Sequence, residues 1–249
     1  MFMKKKLNRK LVDAAIKDIS QMNDKGDIIR EIVVFLKKNT DCDAVGVRFK
    51  NKGDYPYYTT IGFSDAFVKK ENSLCSRSED NSKVIKNCLP MLECLCGMVL
   101  REDLDKRIDG FTEFGSFLSN DTSKLNLLDK SVISECAIRN QCHKFGYGSI
   151  LLIPIPCDGD RIGLIQLNYN RKDAFEQDMV DNMEMMANEI GVIIKKNGIY
   201  KKLPDDDPKI VAKQNVYRTI VDLQNITKTI LKEESDKKDD NNDNNDDKK

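Results

Sequence analysis

The sequence has no excess charge of either sign and only one histidine, and these scarcities set the first limits on what it does. Forty-one basic and 41 acidic residues cancel over 249 positions. That balance argues against a globally basic nucleic-acid binder, so nucleic acid is not an expected partner. A single histidine, His143, cannot build a His-rich metal site. No stretch approaches the roughly 20 uninterrupted apolar residues that a bilayer span requires. The basic start MFMKKKLNRK is followed by LVDAAIKDIS, where Asp13, Lys17 and Asp18 break up what would be the apolar core of a signal peptide. A cytoplasmic location is therefore expected. Neither a GxxxxGKS/T phosphate loop nor a GxGxxG dinucleotide turn is present.

Against these absences stand eight cysteines. Disulfides are rare in a reducing cytosol, where a cysteine-rich chain more often uses some of its thiols for metal, cofactor or redox chemistry. The last 17 residues, EESDKKDDNNDNNDDKK, hold no apolar residue and carry eight acids against four lysines. Such a run cannot bury enough surface to offset its ordering entropy, and a disordered tail is expected over 234–249.

Hydrophobic periodicity orders the remainder. Leu7, Leu11, Ala15, Ile19 and Met22 recur at spacings of four and three and predict an amphipathic helix over 4–22. Asp27 is the expected N-cap of a second helix ending near Asn39. Strands are expected over 44–49 and 55–61, then an irregular stretch over 62–87. A short helix is expected within 92–100, starting at Gly97, followed by a loop over 110–122 and a helix over 131–141. Two strong strands, 149–155 and 161–169, flank the turn PCDGD, and a helix over 175–196 presents Phe175, Met179, Met183, Ala187, Ile190 and Ile194 to a core. Pro204 and Pro208 precede a final helix. The expected organisation is an N-terminal helix (1–24), a domain (25–198), a C-terminal helix (199–233) and the tail. Helices gathered at the ends around an antiparallel sheet make the fold class α+β.

The run GYGSILLIPIPCDGDRIGLIQLNY, with the helix FEQDMVDNMEMMANEIGVII after it, resembles the end of a GAF domain, a sensor fold related to PAS domains. LECLCG at 92–97, FTEFGSFLSNDT at 111–122 and RNQC at 139–142 resemble a GAF subgroup found in PAS/GAF histidine kinases of archaea and bacteria. The resemblance covers about 27–196. It implies an antiparallel sheet of about six strands, with the first and last helices on one face and a ligand pocket on the other. The phosphoacceptor histidine and ATP-binding core of such kinases are not found here. The expectation is a non-catalytic sensor module whose output passes to a partner protein, a histidine kinase or regulator. The terminal helices, 4–22 and 209–232, are expected to pair in a homodimer, although their apolar stripes also suit packing on the domain itself.

The cysteines carry the sharpest chemical reading. Cys94 and Cys96 form a C-x-C pair able to hold a metal. The resemblance implies that Cys75, Cys94, Cys96 and Cys142 come within reach of one another, the thiolate count of a zinc or iron–sulfur site. Some GAF sensors of this kind hold haem through a cysteine and a histidine. By that resemblance Cys96 and His143 are the candidates, with Arg139 placed for a propionate or another anion. The alternative for every cysteine is a buried, inert thiol, which is preferred for Cys42 and Cys157 and favoured for Cys88 and Cys136. For a lone histidine a surface position is the preferred alternative for His143, and a surface salt bridge is the preferred alternative for Arg139.

An enzymatic alternative comes from a second resemblance. Free methionine-(R)-sulfoxide reductases are GAF proteins, and Cys88, Cys96-Gly97 and Cys142 are laid out in a similar way here. Their chemistry is thiolate attack on the sulfoxide, then a sulfenic acid and a resolving disulfide. The positions matching that family's substrate-binding carboxylates are Ile150, Gln166 and Asn168, so no anion remains there for an ammonium group. From the residues themselves, strand alternation puts Leu164, Gln166 and Asn168 on one face of the strand. Two amides on an otherwise apolar face suit a hydrogen-bonded ligand, or else a contact to a loop. A dimerising scaffold with inert thiols is the third reading.

Overall fold

The computed structural model describes residues 7–22, 24–51, 53–75, 92–102, 108–127 and 138–198. The C-terminal helix and tail expected beyond residue 198, and most of the helix expected over 131–141, lie outside the described residues. Two capped helices open the chain. Asn8 caps α1 (Arg9–Ile19), accepting from the Leu11 amide at 3.1 Å. Asp24 caps α2 (Lys25–Thr40), accepting from the Asp27 amide at 3.0 Å. The expected cap, Asp27, is therefore the third residue of the helix.

The strands are β1 (Ala44–Phe49), β2 (Tyr57–Ile61), β3 (Phe117–Ser119), β4 (Ser149–Cys157) and β5 (Asp160–Tyr169). They form one antiparallel sheet in the order β2-β1-β5-β4-β3. Five strands are present among the described residues where about six were expected. The α+β class holds. The helices α3 (Asp65–Glu71), α4 (Cys94–Arg101), α5 (Gln141–Lys144) and α6 (Gln177–Lys196) complete the domain, with a 3-10 turn at Thr122–Leu127.

Alternation along the strands divides the interior into two cores. Val45, Val47, Leu151, Ile153, Ile165 and Leu167 face α1, α2 and α6. Ala44, Ile150, Leu152 and Leu164 face the other way, toward Phe67, Leu95, Cys96, Val99 and Tyr147. Val12, Ala15 and Ile19 of α1 lie in the first core with Met183, Ala187 and Ile190 of α6. The apolar stripe of α1 is thus used inside the chain, and a homodimer built on terminal helices would rest on residues outside the described ones.

Local chemistry explains where sequence and structure differ. Pro56 has no N–H to give a ladder, and β2 begins at Tyr57. Ser64 caps α3 by accepting from the Phe67 amide at 3.2 Å, a helix inside the stretch expected to be irregular. The helix α4 starts at Cys94, three residues before the expected Gly97, whose missing Cβ admits the Leu92 carbonyl. The loop expected over 110–122 contains β3, with Phe111 packed edge-on against Phe117 at 5.1 Å. Among the described residues no helix is long and apolar enough to cross a membrane.

Candidate functional site

The face of the sheet opposite α6 carries a row of polar groups. As the alternation of β5 requires, Gln166 and Asn168 point to that face with Leu164, and both amides are fully buried. Gln166 lies between Gly46 of β1 and Leu152 of β4, and Asn168 between Ala44 and Ile150. Gly46 has a structural reason. A Cβ there would stand 2.8 Å from Cε1 of Tyr57, whose ring leans from β2 across β1. Through that gap the Tyr57 hydroxyl donates to Gln166 Oε1 at 2.7 Å. Gln166 Nε2 in turn donates to Asn168 Oδ1 at 3.1 Å and, weakly, to Cys142 Sγ at 3.6 Å. The row ends at Asn168 Nδ2, which is buried against the Cys142 thiol without an oxygen or nitrogen partner. Gly46→Ala is expected to push the Tyr57 ring aside, breaking its bond to Gln166 and costing about 1–3 kcal/mol as overpacking. Urea unfolding reads the cost, and a fully retained midpoint would show that the ring moves freely.

Beside this row sits a buried charge cluster. Arg48 of β1, fully buried, donates to the carbonyls of Tyr55 (3.0 Å), Asn72 (3.2 Å) and Glu71 (2.6 Å). The last two are carbonyls at the end of α3, where a cation also complements the helix dipole. The Arg48 guanidinium stacks on Tyr57, 3.5 Å from the ring centroid. Arg139 bonds Glu93 Oε2 at 2.7 Å, lies 3.7 Å from Glu71 and donates to the carbonyls of Ser73 (2.6 Å) and Cys75 (2.9 Å). It clasps the two described ends on either side of residues 76–91, next to a cleft of about 180 Å³ lined by Lys70, Glu71, Glu93, Arg139 and Gln141. Arg139 is thus a clasp whose donors are taken up by the protein, and it is not presented to a propionate or other anion.

Burial raises the Glu71 carboxyl above its ordinary value of 4.5, although Arg139 and Arg48 oppose the shift. A carboxyl with a raised pKa in the fold takes up its proton before the unfolded chain does. Its contribution therefore grows as pH falls from neutrality through the raised value and levels off below the ordinary one. The melting temperature of the wild type is expected to rise over that window relative to Glu71→Gln. Parallel curves for the two proteins would sink the assignment.

Three thiols crowd the same region. Burial, reinforced by Cys94, pushes Cys142 up to about 12 and Cys96 well above its ordinary value. Cys94 is raised by burial and by Glu71. The Cys75 thiol faces the Gly53 carbonyl, 4.0 Å away, and is pushed up to about 11 by burial and Asp54. Cys42 and Cys157 are buried free thiols, and Cys88 and Cys136 lie outside the described residues.

This arrangement bears on the expected metal and haem sites. Among the described residues no three His, Cys, Asp or Glu side chains converge as a metal ligand set. His143 does not join Cys96 either. Its Nδ1 lies 3.1 Å from Thr122 Oγ1, whose own hydroxyl donates to the Tyr147 carbonyl at 2.5 Å. With that hydrogen committed, Nδ1–H of His143 is the donor, and the turn that aims Cys142 at Gln166 carries His143 away toward the 3-10 turn. The residues present do not fit a Cys–His haem site.

The structure also adds residues that the sequence reading passed over: Arg48, Tyr57, Glu71 and Glu93. For Arg48 a signal existed, since period-two alternation in AVGVRF sets a lone arginine on the face of Ala44 and Gly46. The other three become visible only once the sheet is assembled.

The model of the GAF domain family matches residues 24–194, well over half of the chain. The chain belongs to the GAF domain family. No curated protein sequence matches it. Among solved structures, this GAF domain is similar to one from an Acinetobacter phosphoenolpyruvate-protein phosphotransferase. The TM-score there is 0.52, at 11% identity over 78% of this chain and 96% of that one. It is also similar to the free methionine-R-sulfoxide reductase of Neisseria meningitidis in complex with its substrate. That comparison gives a TM-score of 0.52 at 12% identity, covering 77% and 90% of the two chains. The reduced form of the Staphylococcus aureus enzyme matches with a TM-score of 0.51 at 15% identity, over 78% and 99%. At such identities the likeness is one of fold, and the fold is shared by GAF domains of signalling proteins and by reductases.

Proposed function

We propose that this GAF domain is a non-catalytic sensor that holds a small hydrogen-bonding ligand on the α4 face of its sheet, at the Gln166–Asn168 amides. The observation that carries the reading is the row from Tyr57 to Asn168, ending in a buried amide donor that has only the weakly accepting Cys142 thiol beside it. An unpaired buried donor costs about 1–3 kcal/mol, a penalty that a bound acceptor removes. The opposite face, which packs against α1, α2 and α6, carries no such row: its buried polar groups on β4 and β5, the Ser149 and Tyr169 hydroxyls, both donate to backbone carbonyls. A thermal-shift screen of the full chain against small metabolites tests the proposal, with Gln166→Leu as control. A ligand at a hundred times its Kd stabilises by about 2.7 kcal/mol. The reading fails if no compound separates the two proteins.

A thiol oxidoreductase is the second reading, supported by Cys96 and Cys142 meeting in one buried region on a fold that reductases share. Two features oppose it. The positions matching the reductases' carboxylates, Ile150, Gln166 and Asn168, meet at one place on the sheet, and none is anionic. The Cys142 thiol is also held in its protonated form. With its pKa moved from 9.0 to about 12, its thiolate fraction at pH 8 falls by roughly three orders of magnitude. Iodoacetamide is expected to modify Cys142 on the order of a thousand times more slowly than a free thiol. Rapid modification, with sulfoxide-dependent consumption of a dithiol, would favour the enzyme.

A further inference from the structure

The same amides also specify the chemistry of what binds them. Resting on the sensor reading above, we infer that the ligand is a small uncharged molecule with an apolar body and an oxygen acceptor, which replaces the Cys142 thiol on the Gln166–Asn168 amides. Hydrogen-bond direction gives the first part of the argument. Tyr57 donates to Gln166, Gln166 donates to Asn168, and the row terminates in an N–H. A row polarised in this sense ends in a strengthened donor, and only an acceptor completes it.

The side chains flanking Asn168 across the ladder are Ala44 and Ile150, neither of which can accept. The group that stands at the amides is a thiol, a weak acceptor, held by Gln166 Nε2 at 3.6 Å. An oxygen in its place would sit at about 2.9 Å and bond both amides.

Charge decides the second part. The ions Arg48, Glu71, Glu93 and Arg139 lie beside the row and are engaged with one another and with backbone carbonyls. Among the described residues no buried charged side chain bonds Asn168; the Asp43 carboxylate near Tyr147 is exposed and accepts from the Asn170 amide at 2.7 Å, and an unpaired buried ion is strongly disfavoured. Ile150 and the nearly buried ring of Tyr147 supply apolar contact for the ligand's body. Cys142 sits on α5, a single turn of four residues. So short a helix has little stability of its own, and its outward movement accounts for how the thiol withdraws.

The test is a titration of the full chain, followed by 1H–15N spectra, with three probes: N,N-dimethylacetamide, acetate and ethylammonium. Dimethylacetamide is expected to shift the Asn168 side-chain amide pair and the amides of α5, while the two ions leave them in place. Asn168→Asp turns the terminal donor into an acceptor at the same volume. It is expected to weaken dimethylacetamide binding at least tenfold and to admit ethylammonium. Cys142→Ala removes the competing thiol and is expected to tighten dimethylacetamide binding severalfold, so the inference stays testable if Asn168→Asp fails to fold. Preference of the wild type for either ion would overturn the ligand class and leave the sensor reading standing. Equal dimethylacetamide binding in all three proteins, or no shift with any probe, would overturn the inference, whereas the sensor reading is decided separately by the metabolite screen.

Discussion

Replacing Arg48 by methionine is expected to lower the unfolding free energy by about 4 kcal/mol, a large part of the 5–15 kcal/mol typical of a domain. The guanidinium is fully buried and satisfies three backbone carbonyls, those of Tyr55, Glu71 and Asn72. Methionine keeps an unbranched apolar stem but ends two atoms short of the guanidinium nitrogens and donates nothing. The carbonyls are then left in a dry interior at about 1–3 kcal/mol for each that finds no other partner. Glu71, also buried, would lose one of the two cations that hold down its pKa. The stack on Tyr57 would go as well, and with it part of what places the hydroxyl on Gln166. Arg48→Lys keeps the charge but not the planar fork, and is expected to recover only part of the loss. Urea unfolding at constant m-value measures both variants. A loss below about 1 kcal/mol for Arg48→Met would mean that water reaches those carbonyls and the cluster is not structural.

The second large effect is expected on the other side of the sheet. Gly191 of α6 lies against β4, where a Cβ would fall deep inside contact distance of the Pro156 carbonyl oxygen. The obstacle is backbone on both sides, so no side chain can rotate away, and Gly191→Ala must lift the helix off the strand. The lift loosens Ala187, Ile190 and Ile194, all buried against the sheet. Alanine gains about 1 kcal/mol in helix propensity over glycine. The lost packing is expected to outweigh that gain, for a net loss of about 3 kcal/mol. Val192→Ala, at an exposed neighbouring position, should stay within about 0.5 kcal/mol. If the two variants unfold at the same urea concentration, the close approach of α6 to β4 is not a constraint on this fold.

Much of the architecture was legible because it is local. A period of two in SILLIPI and RIGLIQLNY and a period of 3.6 in the last described helix placed β4, β5 and α6. The same alternation put Gln166 and Asn168 together on the face opposite the main helices. Short elements were less legible. The cap at Ser64 is strong, but α3 is only seven residues long, and β3 has three residues held in register by β4 rather than by its own sequence.

The cysteines show where local reading stops. The family resemblance implied a four-thiolate site, but in the fold the Cys75 thiol faces Gly53 and Asp54 while Cys142 faces Gln166. Cys142 and His143, adjacent in sequence, point to different partners, Gln166 and Thr122.

By itself, then, the sequence determined the α+β class and the placing of two amides on one strand face, because each follows from periodicity within a segment, while the GAF likeness lay in the resemblance of its motifs. Only the tertiary structure decided how the amides are used. Tyr57 reaches Gln166 across 109 residues of chain because Gly46 leaves the gap between them. Arg139 meets Glu93 across 46. Contacts of that range are set by how strands pair and helices pack, and no local pattern encodes them. The polar row of the candidate site, ending at the Asn168 amide, is a product of that assembly.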